Sequence, residues 1–330
     1  MKNHQNKEFK YVFLPSWIAA LLIVSLSLLN LIELNFYILI FFTVVGALIG
    51  IPHGAIDHFI PFDLTHQRVK IFPMTIILIV YIGLFFSNVF LWFVKKEIAF
   101  LTFILITLFH FGQTEFYSLK RFLRLSYFKN EFLSFFTIFI KGSIPLFIPL
   151  IFYPQGFAKL FNEFSMESYF KSFEKNIEAF SLIYFSLIAA YILLNLFLAL
   201  NERMQLTFIQ DCFETFILIA LFILVKPILS ISFYLFFWHS LRHLMRLFLI
   251  NDEFRQALEK NGFFKTHCKY LYKALPTLSL AMLFLFFLYP LFPDFQKHPL
   301  QIFLIFISSL TLPHTVLVSW MDFYERVYDK

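Results

Sequence analysis

Apolar residues run along this chain in stretches of about twenty, broken by short polar links. A helix needs about 20 such residues to cross the hydrocarbon of a bilayer. The pattern predicts about ten spans, at roughly 13–32, 36–56, 72–94, 98–117, 132–153, 179–200, 207–225, 228–250, 274–292 and 300–320. Strand-like alternation is absent from these stretches, so the expected fold class is all-α, a polytopic membrane helix bundle. The narrowest separation is Lys226-Pro227, between the seventh and eighth spans. Residues 1–330 read as a single integral membrane domain, with no internal repeat or low-complexity linker.

Loop charge sets the orientation. With the N-terminus inside, the inner segments hold Lys2, Lys7, Lys10, Lys120, Arg121, Arg124, Arg255, Lys260 and Lys265. The longest outer loop, about 154–178, offsets its lysines with Glu163, Glu167 and Glu174. Positive residues favour the cytoplasmic side, so both termini are expected there, in a multi-pass protein of the cell (inner) membrane. No cleavable signal peptide is evident at the polar start.

Composition agrees: 60% of residues are hydrophobic and only 15% charged, whereas soluble domains carry about a quarter charged. The net charge of +6 is a topology signal and not a nucleic-acid footprint. Most of the 52 Phe read as lipid-facing or packing bulk. Cys212 and Cys268 are too few for a disulfide framework or a thiolate metal site. A metal would therefore take nitrogen and oxygen ligands, and histidine is the supply.

Four of the ten histidines, His4, His66, His267 and His298, fall in termini or loops and read as solvated. The other six lie within apolar spans or at their ends. His53 and His58 occur in GIPHGAIDHFI, His110 in LFHFGQTEF, His239 and His243 in FYLFFWHSLRHLMRLFL, and His314 in LTLPHTVL. All four spans are even-numbered, so all six side chains are expected at similar depth in the cytoplasmic half. His239 and His243 stand four residues apart, on one helix face, a spacing that can present two imidazoles to one metal. Pro52 and Pro313 each precede a histidine, and proline kinks can aim a ligand inward. Gly54 and Gly112 permit close helix approach.

Charged neighbours extend the pattern. Asp57 follows His53 by four residues and Glu115 follows His110 by five. Either carboxylate could ligate, or could orient the second nitrogen of a ligating histidine. Arg242, costly in hydrocarbon, is expected to pair with Asp57 or Glu115, whereas Arg246 is expected to snorkel to the headgroups. An all-histidine donor set suits Fe, Zn, Cu or Ni. The aromatic, apolar surroundings favour oxygen chemistry on a lipid-soluble substrate, and hence iron.

At these residues the chain resembles the Brp/Blh family of membrane β-carotene 15,15'-dioxygenases. The resemblance rests on GIPHGAIDH (50–58), FHFGQTE (109–115), WHSLRH (238–243) and, less specifically, LPH (312–314). It implies an all-helical membrane enzyme that uses O2 to split β-carotene at its central double bond, giving two retinal molecules. It implies Fe(II) held by four histidines, carried over to His53, His110, His239 and His243. His58 and His314 match the pattern less closely and stand as additional ligands or as supports of ligands, with Asp57, Glu115 and Arg242. The implied partners are a carotenoid, O2, membrane lipid and a retinal-binding rhodopsin that would take up the product.

Three rival readings make different demands. A di-iron hydroxylase or desaturase needs about eight clustered histidines and two irons per chain. A transporter with a His/Asp/Arg proton relay needs pH-driven flux and no tightly bound metal. A non-catalytic helper of a rhodopsin would tolerate loss of His243.

Overall fold

The computed structural model describes residues 11, 13–31, 35–50, 52–65, 68–123, 131–164, 166–201, 205–288 and 299–328. Regular structure among them is helical throughout, and no strand is formed. This is the all-α class expected of a chain that must satisfy its backbone polar groups without water. Five helical stretches are long and apolar enough to cross a membrane: Ile71–Val94, Lys96–Leu119, Glu131–Phe152, Ile177–Asn201 and Leu304–Tyr324. They correspond to the third, fourth, fifth, sixth and tenth expected spans.

The other expected spans take different forms. The first is a 15-residue apolar helix, α1 (Leu14–Leu28). The second is not one helix. It runs as α2 (Phe36–Val45), a π-helical turn (Gly46–Gly50) and 3₁₀ turns at Pro52–Gly54 and Asp57–Phe59 before α3 (Ile60–Thr65). Pro52 supplies no backbone donor, and the glycines at 46, 50 and 54 disfavour a continuous helix. α4 (Ile71–Val94), α5 (Lys96–Leu123), α6 (Glu131–Phe152), α7 (Pro154–Glu163), α8 (Glu167–Lys175) and α9 (Ile177–Asn201) follow.

The seventh expected span is α10 (Gln205–Leu224), which carries buried Asp211 and Glu214. The eighth is broken into α11 (Pro227–Phe233), a π-helical segment (Tyr234–Ser240) and α12 (Leu241–Ile250). The ninth begins inside α13 (Asp252–Leu288), whose polar first part turns at Gly262 (φ 78°), a backbone region that glycine enters without Cβ strain. α14 (Pro299–Tyr328) completes the chain.

The chain divides into two compact units. One comprises Met1–Thr43, Thr107–Asn162 and Met166–Arg242. Its core has α10 packed against α1, α6 and α9, around Ile140, Ile144, Leu218, Leu221, Phe222 and Trp238. Helices α5 and α6 approach so closely that a Cβ on Gly112 would lie 1.8 Å from the Ile138 carbonyl oxygen. One on Gly142 would lie 1.9 Å from that of Leu108. Small residues at such a crossing let backbones meet.

The same unit buries a second charge pair. Lys141 Nζ lies 2.6 Å from Asp211 Oδ1 and donates to Thr215 Oγ1 at 2.6 Å, while Tyr191 Oη donates to Asp211 Oδ2 at 2.8 Å. Hydrogen bonds to the remaining lone pairs are what a buried ion pair needs if Coulomb attraction is to offset desolvation.

The other unit comprises Val44–Ile106, Glu163–Ser165 and His243–Lys330. Here α14 lies along α4 and contacts α3. A buried polar clasp joins the two long helices, with Trp92 Nε1 donating to Ser308 Oγ at 2.6 Å. Ser308 and Ser309 in turn each reach Asn88 Oδ1 at 3.4 Å.

Candidate metal centre

In the first unit, His110 sits on α5 and His239 on the π-helical segment, both nearly fully buried. Their Nε2 atoms stand 3.2 Å apart, with the rings close to perpendicular at 73°. A π-helical turn inserts an extra residue per turn and recurs at functional sites. Phe111 packs on His239 at 4.9 Å and on Tyr234 at 5.1 Å, so the pair is backed by rings.

Arg242 lies three residues beyond His239 and is buried with its charge paired twice. Nη1 is 2.7 Å from Glu115 Oε2 and Nη2 is 2.5 Å from Glu214 Oε1. The guanidinium carbon is 4.4 Å from the centroid of the Phe13 ring and 4.3 Å from that of Trp238. Trp17 Nε1 donates to Glu214 Oε1 at 2.8 Å. Arg242 was expected to pair with Asp57 or Glu115, and within this unit Glu115 is its partner. Glu214 was not anticipated, although a carboxylate in an apolar span is the same signal that drew attention to the histidines.

In the second unit, three imidazoles form a triangle. Ring centroids are 5.6 Å apart for His53–His243, 5.0 Å for His53–His314 and 5.1 Å for His243–His314. The interplanar angles are 86°, 87° and 78°. His53 Nδ1 bonds the Gly50 carbonyl oxygen. A carbonyl cannot donate, so Nδ1 carries the proton and Nε2 keeps its lone pair. His314 Nδ1 bonds Asp57 Oδ2, while His243 Nε2 stands 3.6 Å from Asp57 Oδ1. Asp57, His243 and His314 each present a ligand atom within 4.8 Å of the others, and all three are buried.

This donor set fits a cation. His243 is 1% exposed, yet neither of its ring nitrogens has a hydrogen-bond partner among the described residues. Leaving a buried polar atom unmet costs about 1–3 kcal/mol. A divalent metal would meet that need, and the mixture of imidazole and carboxylate suits iron among the first-row metals. The two carboxylates expected near the histidines take different partners. Asp57 contacts histidines, and Glu115 binds an arginine.

Supports outside the triangle hold its backbone. Tyr270 Oη donates to the carbonyl oxygens of Pro52 at 2.6 Å and His53 at 3.0 Å. His267 was expected to be solvated, but it is buried, with Nε2 on the Leu48 carbonyl oxygen at 3.0 Å. Burial holds its imidazole below the ordinary histidine range. Its ring stacks on Phe263, which places it within the polar part of α13.

Two further expectations are corrected or bounded here. Arg246 does not snorkel. It pairs with buried Asp322, and its own side chain is only 10% exposed, because a carboxylate on α14 offers a closer partner than the headgroups. His58 is half-buried against the ring of Phe59, and it is in neither the His110–His239 pair nor the triangle. His4, His66 and His298 lie outside the described residues.

A family model described as "Beta-carotene 15,15'-dioxygenase" matches residues 44–322, most of the chain. The chain belongs to the β-carotene 15,15'-dioxygenase family. The match takes in every histidine of the pair and the triangle. A relative from Halobacterium salinarum (strain ATCC 700922 / JCM 11081 / NRC-1), named "Probable beta-carotene 15,15'-dioxygenase Blh", is 24% identical over 289 residues. The alignment covers 84% of this chain and 82% of that relative. No solved structure matches the chain. The family membership agrees with the resemblance carried by the PHGAID, FHFG and WHSLRH motifs.

Proposed function

We propose that this protein cleaves β-carotene with O2 at the central 15,15' double bond, giving two molecules of retinal. The observation that carries the reading is the clustering of buried imidazoles at the family's motifs. His110 faces His239 in one unit, and His53 and His243 lie with Asp57 and His314 in the other. The family match and the relative's name support the substrate.

The proposed holders of Fe(II) are His53, His110, His239 and His243. Bound there, iron would supply the O2 chemistry that amino-acid side chains lack. The side chains do the rest. The Gly50 carbonyl accepts from Nδ1–H of His53 and so fixes the tautomer, making Nε2 the nitrogen that carries the lone pair. The rings of Phe111 and Tyr234 pack on His239, and Trp238 beside it is fully buried, which keeps the residues around His239 away from water. Arg242 is neutralised by Glu115 and Glu214, so it brings no net positive charge to a site meant for a cation.

The same reading places the chain in the cell membrane as one integral domain of about ten spans, with cytoplasmic termini. Its substrate arrives from lipid, and a retinal-binding rhodopsin is the proposed recipient of product.

Expression in a β-carotene-producing bacterial strain, with pigment extraction and chromatography, tests the proposal. Loss of carotenoid colour together with retinal is the expected result. Undiminished β-carotene beside inserted, iron-loaded protein would overturn the substrate assignment. Two irons per chain would favour the hydroxylase or desaturase reading instead.

A further inference from the structure

Outside the four-histidine set, one histidine stands in the same geometry as its members. His314 completes the triangle with His53 and His243 at 5.0 and 5.1 Å, with each pair of rings near perpendicular. We infer that His314 is itself a metal ligand, and that Asp57 is the carboxylate that orients it. This inference rests on the iron-centre reading above and adds a fifth imidazole to it.

The first support is the hydrogen bond of His314. Its Nδ1 is committed to Asp57 Oδ2. A metal-binding histidine almost always gives its other ring N–H to a carboxylate, carbonyl or water, which fixes the tautomer and raises ligand basicity. His53 shows the same arrangement through Nδ1 and the Gly50 carbonyl. In both rings Nδ1 is the nitrogen so held, and Nε2 is the ligand atom that the inference assigns.

The second support is Gly54. A Cβ placed there would lie 3.0 Å from His314 Nδ1 and 3.2 Å from Asp57 Oδ2. The glycine of PHGAID therefore leaves room for this hydrogen bond, which sits against its Cα.

The third support is charge. Asp57 is fully buried, and none of the hydrogen bonds or ion pairs found for it among the described residues comes from Arg or Lys. A buried carboxylate needs a cation or several donors. A metal held by the rings on either side of it would supply that charge. Pro313, immediately before His314, lies inside α14 and offers no backbone N–H to the carbonyl four residues earlier.

The test uses the full-length protein in detergent, titrated with Co(II) as a spectroscopic stand-in and separately with Fe(II), with metal content measured by mass spectrometry. The variants are His314→Ala, His314→Gln, Asp57→Asn and, as a control, His58→Ala. Gln keeps an amide able to donate to Asp57 but offers no imidazole nitrogen, so it separates ligation from holding the carboxylate. We expect both His314 variants to shift the Co(II) visible bands and to weaken binding more than about 100-fold. Asp57→Asn should weaken it within the roughly 10–100-fold range of an outer partner, leaving the bands in place. Imidazole added to His314→Ala should restore the bands, and His58→Ala should match the wild type. An unchanged spectrum and affinity in His314→Gln would overturn the inference while leaving the four-histidine centre standing. Failure of the wild type to take up either metal would overturn both.

Discussion

Arg242 Nη2 lies 2.5 Å from Glu214 Oε1, and the same guanidinium reaches Glu115 at 2.7 Å. One arginine thereby ties three helical segments of the first unit: α5, α10 and the WHSLRH stretch. Arg242 stands immediately before His243 and three residues after His239, so the clamp anchors the chain that carries both histidines.

Removing the arginine should leave two buried carboxylates without a cation. Arg242→Leu is expected to cost roughly 3–5 kcal/mol, the usual penalty for breaking a buried pair from one side. Glu214→Gln keeps a hydrogen-bond acceptor and should cost less, about 1–3 kcal/mol. Thermal unfolding in detergent ranks the two. Equal stability of Arg242→Leu and the wild type would show that the clamp carries no load.

Alanine at His53, His110, His239 or His243 should abolish retinal formation and lower bound iron, while membrane insertion persists. His58→Ala should retain both, since His58 packs on Phe59 apart from the pair and the triangle. His4→Ala and His298→Ala should be silent. Retinal assays with iron content per inserted protein decide each case, and a fully active variant leaves the ligand set.

Gly112→Ala and Gly142→Ala meet backbone, not a flexible side chain, at 1.8 and 1.9 Å. Helices α5 and α6 must therefore separate. Overpacking costs about 1–3 kcal/mol even where side chains can yield, so the loss here should sit at or above that range. Gly83→Ala is the control, because nothing lies within 4 Å of a Cβ at that position. Fluorescence-detected size exclusion after heating should show the first two falling and the third unchanged.

Tyr270→Phe removes the hydroxyl that latches the Pro52 and His53 carbonyls. The Pro52 carbonyl keeps its bond from the Ala55 N–H at 2.9 Å, so the loss is that of the Tyr270 hydrogen bonds, about 0.5–1.5 kcal/mol each. The 3₁₀ turn carrying His53 should loosen, so Co(II) affinity should fall several-fold along with the unfolding temperature. A lower unfolding temperature with unaltered Co(II) affinity would limit Tyr270 to stability.

Lys141 and Asp211 invite a double-mutant cycle. Lys141→Met alone should cost roughly 3–5 kcal/mol, because Asp211 keeps its charge in an apolar core. Lys141→Met with Asp211→Leu should recover most of it, since replacing a buried pair by apolar groups is often neutral. Additive losses would argue that the hydrogen bonds of Lys141 to Thr215 and of Tyr191 to Asp211 matter more than the pair.

Much was legible in the chain itself. Apolar runs announced an all-helical membrane protein because lipid leaves the backbone no other partners. The motifs announced imidazole chemistry because an ionisable group in hydrocarbon is too costly to keep without a use. Asp57, Glu115 and Arg242 were legible as candidates for the same reason, and His314 through its proline and depth.

What the tertiary structure alone decided was partnership. Periodicity treats 36–56 and 228–250 as continuous spans. The structure breaks both into shorter helices with π turns, and the first also into 3₁₀ turns at Pro52 and its glycines, which a window of hydropathy does not weigh. Arg242 pairs with Glu115 and Glu214, Arg246 with Asp322, and His267 turns inward to the Leu48 carbonyl. Such choices depend on distances between residues far apart in the chain. Composition states that a buried charge must be met, and only the packing of helices determines by which group.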